Sequence, residues 1–238
     1  MTRDTTRRAL GKLTLSGAIF AGTVGAALAA GLPLGISTVD TGNLPPTGDE
    51  WLTENPYRAE AAGEAVWLEA LAVGESGYIQ NCARCHGLEA ISGGLAPDLR
   101  FLEAEEYGDE WYVERFRSGY TQNGTTKMPA FGELLGQDAA WAIRTYIETR
   151  PDEQAMEEVS DELKALRDEI EGYASDSAGA DPDALKTRMS EIANGIETLS
   201  GAPVADSIAY RAAYMIDGTP EGYRLAADTL TIGLSAAN

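Results

Sequence analysis

The sequence predicts an all-α fold, and three features carry that reading. Apolar residues recur at spacings of three and four along the C-terminal half. Helix start and stop signals punctuate those runs. The chain's two cysteines and its one histidine fall within five residues, Cys82, Cys85 and His86. Residues three apart on a helix share a face, so this spacing fits a helix that presents both thiols to one side.

The chain divides by composition into residues 1–29, 30–60, 61–150 and 151–238. The first stretch carries Arg3, Arg7, Arg8 and Lys12 against Asp4, and no further charge occurs until Asp40. Residues 13–30 are rich in Ala, Gly, Leu and Val, and Ala27-Leu28-Ala29 forms a small-residue cleavage pattern. Together these read as a signal peptide cut after Ala29, which implies export to the periplasm. An uncleaved membrane anchor is the rival reading, weakened by the many Gly and Ala residues and by Pro33. Thr6-Arg7-Arg8 also resembles a twin-arginine signal. Residues 30–60 hold Pro33, Pro45, Pro46 and Pro56 without steady periodicity, and are expected to form an extended linker.

Asn81-Cys82-Ala83-Arg84-Cys85-His86-Gly87 contains C-x-x-C-H, the attachment sequence for c-type haem. Both thiols can reach one porphyrin from one helix face, and His86 then lies beneath the ring as an axial ligand. A zinc site would need further Cys or His ligands, and the chain has none left. A thioredoxin-like redox pair would sit in a β-α-β pattern, which is not seen. For the opposite axial position the chain offers Met128, Met156, Met189 and Met215 besides Met1. Met156 and Met189 fall on helical apolar stripes and read as packing residues. Met128 stands in Gly124-Thr125-Thr126-Lys127-Met128-Pro129, a loop by its Gly, Thr and Pro content, 42 residues after His86.

Here the chain resembles the class I cytochrome c family, over residues 61–150. Gly74 and Tyr78 match the glycine and aromatic of that family's first helix. There the glycine permits close crossing by the last helix, here residues 137–149 with Trp141 and Tyr146. Pro97, in Gly93-Gly94-Leu95-Ala96-Pro97-Asp98-Leu99, matches the family's loop proline, and the resemblance implies that its carbonyl accepts a hydrogen bond from His86. Lys127-Met128-Pro129 resembles the methionine loop. Residues 81–94, Ala96-Pro97-Asp98-Leu99-Arg100, Gly108-Asp109-Glu110-Trp111 and residues 141–146 are similar to small cytochromes associated with quinoprotein (PQQ-dependent) alcohol dehydrogenases. The resemblance implies one covalent haem c, held by Cys82 and Cys85 and ligated by His86 and Met128. It also implies a quinoprotein dehydrogenase as electron donor and an oxidase or another cytochrome as acceptor. Arg100 is a candidate propionate contact, while Arg84 and Lys127 either dock a partner or pair with propionates. In this family haem is attached after export to an unfolded chain, whereas twin-arginine export is associated with folded cargo. Arg7 and Arg8 are therefore read as part of an ordinary leader.

Residues 151–238 carry 18 acidic and 6 basic side chains. Met156, Val159, Leu163, Leu166, Ile170 and Tyr173 form one apolar seam, and Leu185, Met189, Ile192, Ile196 and Leu199 form another. Gly179 and Pro182 separate them, with Asp181-Pro182 as a helix start. Pro203 is expected to open a third helix ending at Gly218, and Thr219-Pro220 a fourth. The expectation is an acidic helical hairpin with two shorter helices, packed on the cytochrome part or folded alone, with an oligomer through these helices as an alternative.

The net charge is −20, and about −23 once the leader is removed. Such a surface repels nucleic acid and steers the chain toward basic patches on a partner. Filled axial positions leave no open iron site, so the chain reads as an electron carrier and not an enzyme. Kept open beside the dehydrogenase reading are a general periplasmic shuttle, a haem-bearing assembly subunit, and a haem sensor or peroxidase with displaceable Met128.

Overall fold

The computed structural model describes residues 35–236. The leader and its cleavage site at Ala29 lie outside the described residues.

Residues 35–58 have no helix or strand, in keeping with their Pro and Gly content, but they are packed along the haem part and are not a free spacer. Leu44, Asn55 and Tyr57 are buried. Backbone groups of the arm are satisfied by side chains from distant helices. Ser37 N donates to Asn81 (2.8 Å), Thr47 N to Asp138 (2.9 Å), and Gln137 donates to the Glu50 carbonyl (2.9 Å). Non-periodic backbone can pack only when such partners exist, and local sequence does not display them.

The arm leads through a single turn, α1 (Ala59–Ala62), into α2 (Glu64–Asn81), which packs mainly on α5 (Gly132–Glu148). A Cβ at Gly74 would land on the Ala142 carbonyl oxygen, so glycine is what permits this close crossing. Tyr78 and Tyr146 meet across the same interface with ring centroids 5.1 Å apart. Helix α5 breaks at Gly136 (φ 77°), so its straight part begins at Gln137. Between these helices come α3 (Ala83–His86), α4 (Glu106–Ser118) and a two-stranded antiparallel ribbon, β1 (Tyr120–Gln122) and β2 (Thr125–Met128). The ribbon corrects the loop expected around Met128. Asn123 (φ 50°) and Gly124 (φ 75°) make its turn, and Asn-Gly is the pair that a tight hairpin favours. Thr121, Thr125 and Thr126 supply the β-branched flanks.

The C-terminal part is helical throughout its main elements: α6 (Glu153–Glu158), α7 (Ser160–Ser175), α8 (Pro182–Gly195), α9 (Ile208–Met215) and α10 (Pro220–Ala236). Leu163, Leu166, Ile170, Leu185 and Met189 are buried in one core with residues of α9 and α10. The two seams do not chiefly zip against each other, because α7 lies mainly on α10, and α8 on α9. Two expectations need correction. The third helix starts at Ile208 and not at Pro203. Ser207 caps it by accepting from Tyr210 N (3.2 Å), and the preceding residues are held extended by Asp206 N donating to the Thr149 carbonyl (2.9 Å). The fourth is not short, running 17 residues.

This part is joined to the first through buried polar contacts, and the described residues all belong to one compact unit. Asp206 pairs with Arg150 and with Arg211, which reaches Glu75 on α2 (3.1 Å). Arg150 also pairs with Glu89 (2.8 Å) and lies over the Tyr146 ring. The Ser200 hydroxyl donates to the Glu148 carbonyl, and Trp67 packs edge-on to Tyr210.

Burial alone would raise the Asp206 carboxyl. The hydrogen bond from Arg211 and the charge of Arg150 outweigh it and leave it below the ordinary range. A depressed carboxyl stabilises the fold above its unfolded value and loses that contribution as pH falls through its folded value. Glu148 acts in the opposite sense, because burial outweighs Arg144 and Arg58 and leaves it raised. We therefore expect Asp206→Asn to destabilise the protein by about 3 kcal/mol near neutral pH, since it leaves Arg150 buried and undercompensated. The gap to wild type should close below about pH 4. Thermal unfolding of both proteins across pH checks this, and a gap that persists into acid would refute it.

Candidate haem centre

The attachment segment begins where α2 ends. Cys82 sits between α2 and α3, and both Cys85 N and His86 N donate to its carbonyl at 3.0 Å. This helical turn places Cys82 and Cys85 three residues apart, unpaired with each other and half-buried. Burial pushes the Cys82 thiol up to about 12, with Cys85 adding to it. Among the described residues no group of three or more His, Cys, Asp or Glu side chains is arranged to hold a metal ion, so no third ligand joins the two thiols.

The turn after His86 depends on Gly87, whose φ is +84° and whose Cβ would strike the Ile91 carbonyl. Tyr78 donates its hydroxyl hydrogen to the Gly87 carbonyl (2.9 Å). The loop then returns to the imidazole, and His86 Nδ1 lies 2.9 Å from the Pro97 carbonyl oxygen. A carbonyl only accepts, so Nδ1 carries the proton and Nε2 keeps its lone pair for a metal. The loop is rigid by construction. Ser92 donates to the Ala96 carbonyl (2.5 Å), Gly94 N donates to the Ser92 hydroxyl (3.0 Å), and Asp98 is clamped by Arg100.

Met128 ends β2, opposite Tyr120, and is half-buried against the core that Cys82, Leu99 and Leu102 also border. The ribbon thus brings a thioether to the same core as the Cys82 thiol. Arg100 is placed differently from a free propionate ligand. It is 6% exposed, grips Asp98 through two hydrogen bonds (2.8 and 3.1 Å) and reaches Glu153 (3.3 Å). A haem carboxylate would have to compete with both. Around the loop, Leu88, Leu95, Phe101, Tyr107 and Trp111 are exposed, and a cleft of about 220 Å³ runs between Pro97, Leu102, Tyr107 and Trp111.

The donor set fits a covalently held porphyrin. It offers two thiols on one turn, an imidazole oriented with Nε2 free, and a thioether on a separate arm. Trp141 Nε1 is buried with no hydrogen-bond partner among the described residues, in the core on which Met128 and Cys82 pack.

Sequence reasoning missed the polar quartet beneath this site. Arg144 donates to Asp109 (2.8 Å) and lies 3.4 Å from Glu148, while Arg58 pairs with both carboxylates at 2.8 Å. Asn55 bridges Asp109, Thr145 and Glu148. Arg144 also reaches the carbonyls of Leu102 and Glu103, tying α5 to the end of the proximal loop. Asp109 and Arg144 stood inside strings noted for their resemblance, but nothing local marks them as partners.

A sequence model of the family described as "Cytochrome C oxidase, cbb3-type, subunit III" matches residues 69–147. Cytochrome c550 of Pseudomonas aeruginosa is 50% identical over 111 residues, which cover 47% of this chain and 74% of that protein. The chain belongs to the cytochrome c family. As a member it carries covalently attached haem c, and it is an electron carrier and not an enzyme. The cytochrome is also similar to Quinohemoprotein alcohol dehydrogenase ADH IIB of Pseudomonas putida, 32% identical over 88 residues, 37% of this chain and 12% of the relative. A third relative is "Alcohol dehydrogenase (quinone), dehydrogenase subunit" of Gluconobacter oxydans, 34% identical over 99 residues, 42% of this chain and 12% of that one. The likeness to these two enzymes therefore spans a small part of their length. No solved structure matches. Among the described residues, no helix is long and apolar enough to cross a membrane.

Proposed function

We propose that this cytochrome is an exported periplasmic carrier of single electrons, with residues 61–150 as its haem domain. In this reading Cys82 and Cys85 would hold the porphyrin, and His86 and Met128 would ligate its iron. The observation that carries this reading is the 2.9 Å contact between His86 Nδ1 and the Pro97 carbonyl, which leaves Nε2 available as a ligand. Bound haem supplies the Fe(III)/Fe(II) couple. The chain's own groups do the rest. Pro97 sets the imidazole orientation and raises its basicity. The apolar core under α2, α4 and α5 keeps water from one side of the site. A Met128 thioether on the iron would leave no site for oxygen or peroxide, which would favour outer-sphere transfer.

The donor in this proposal is a PQQ-dependent alcohol dehydrogenase, with a respiratory oxidase or another cytochrome as acceptor. Similarity to a small part of two alcohol dehydrogenases, one named as a quinohemoprotein and one as a quinone enzyme, supports that choice. Stopped-flow reduction of the holoprotein by such a dehydrogenase from the same organism, turning over its alcohol, tests it. Reduction faster than enzyme turnover is the expected result. Slow reduction at every salt concentration would remove the dehydrogenase from the scheme.

A further inference from the structure

The segment from His86 to Ala104 is held at three points by the C-terminal extension, which lies beyond the family match at residues 69–147. Near its start, Glu89 (φ 53°) and Ala90 (φ 60°) are consecutive non-glycine residues in the left-handed region. Such backbone persists only where surrounding contacts impose it. Ala90 is fully buried, and Glu89 pairs with Arg150 (2.8 Å), which is itself buried and paired with Asp206. At the far end, Ala104 N donates to the Ser200 carbonyl (2.9 Å). In between, Glu153 reaches Arg100 (3.3 Å), and Arg100 grips Asp98, the neighbour of Pro97.

These contacts differ in weight. The Glu153 side chain is 68% exposed, and an ion pair in that setting contributes little. Arg150 and Asp206 are buried at both ends of their pair, where losing one partner is costly. Asp206 is fixed in turn by two hydrogen bonds from Arg211 (2.6 and 2.7 Å), and Arg211 is anchored to α2 by Glu75. Ser200 is placed by backbone pairing, because Asp152 N donates to the Glu197 carbonyl (2.8 Å) and returns the chain to the end of α5. The Pro97 carbonyl, which meets His86 Nδ1, therefore lies on a loop whose two ends are both tied to the extension.

We infer that the extension positions the axial histidine: Asp206 holds Arg150 on Glu89, and this latch fixes the loop that sets the Pro97 carbonyl against His86. Arg150 and Asp206 are positioning residues, and the extension tunes the reduction potential through them. The inference rests on the reading of His86 as an iron ligand. A firm hydrogen bond from Nδ1 makes the imidazole a stronger donor, which favours ferric iron. Releasing the latch weakens that bond and raises the potential. Charge alone predicts the opposite for Arg150, because removing a cation favours the ferric form.

That difference in sign is the test, made on the full-length holoprotein by potentiometric titration and by proton NMR of the ferrous form. In Arg150→Gln the reduced-to-oxidised ratio at a fixed ambient potential should rise about threefold, or roughly 28 mV at about 59 mV per tenfold for one electron. The His86 Nδ1–H resonance should move upfield as its hydrogen bond lengthens. Arg150→Lys, which keeps the charge and a donor, should restore part of both changes. Glu89→Gln alters a side chain that is 55% exposed and leaves Arg150 with Asp206, so it keeps the fold and should move the resonance in the same direction. A resonance unmoved in both Arg150→Gln and Glu89→Gln, or a potential that falls in Arg150→Gln, overturns the inference and leaves the extension a purely structural role. The wild-type spectrum reports the ligand separately. Without the ring-current-shifted signals of an iron-bound imidazole, the His86 reading fails and this inference with it; with those signals present, a failure in the variants refutes only the latch.

Discussion

Replacing Met128 by alanine will leave the haem covalently attached and will lower its reduction potential by on the order of 0.1 V or more, because thioether sulfur favours the ferrous state. The far-red sulfur-to-iron band should vanish, and the ferrous protein should bind carbon monoxide readily. Potentiometric titration and spectra of the oxidised and reduced forms check all three. The variant is expected to fold, because Met128 is half-buried at the end of a solvent-facing ribbon and the haem stays anchored elsewhere. A variant with unchanged potential and an intact band would assign the sixth position to another group. Met189 is a poor substitute, since it is fully buried in the C-terminal core, and Met156 packs against that same core.

Arg144→Met will cost about 3–5 kcal/mol of stability, the typical penalty for breaking a buried ion pair from one side. In a protein of this size that lowers the melting temperature by on the order of 10 °C. The side chain is fully buried and serves four acceptors at once: Asp109, Glu148 and the carbonyls of Leu102 and Glu103. Methionine keeps most of the volume, so the loss reports the charge. Two carboxylates would then face Arg58 alone. Denaturant titration followed by circular dichroism gives the number, and a loss under about 1 kcal/mol would show that the quartet contributes little beyond packing. The same variant should loosen the loop that ends at Leu102, which hydrogen exchange at residues 97–103 would register.

How much of this was legible in the sequence differs from element to element. The chain has one histidine and two cysteines, so any centre built on them had a single address, and Gly74 and Tyr78 announced the crossing of α2 and α5. The seams of α7 and α8 were visible because each buries a stripe, but stripes do not name their partners, and α10 and α9 supplied the opposing faces. The ribbon had a readable sign in Asn123-Gly124, obscured by the short run on either side. The arm over residues 35–58 and the quartet of Arg58, Asp109, Arg144 and Glu148 had none. Apart from the i,i+4 contact of Arg144 with Glu148, their partners lie 35 to 93 residues away, and a charge in sequence looks like surface until its counter-charge is located. Pro203 misled for a similar reason, since Asp206 is drawn into Arg150 and keeps the chain extended up to Ser207.

Arg150 sets an order of events for a chain that emerges from its N-terminus. Its guanidinium touches Glu89, just beyond the attachment segment, and Asp206, 56 residues after Arg150 itself. Until Asp206 is available, closing the fold around Arg150 would bury a cation with only a surface carboxylate to answer it, which is unfavourable. The stretch that follows His86 is therefore expected to latch only once the segment around Asp206 has folded against it. On that order of closure, Cys82 and Cys85 would stay accessible until the C-terminal helices are in place.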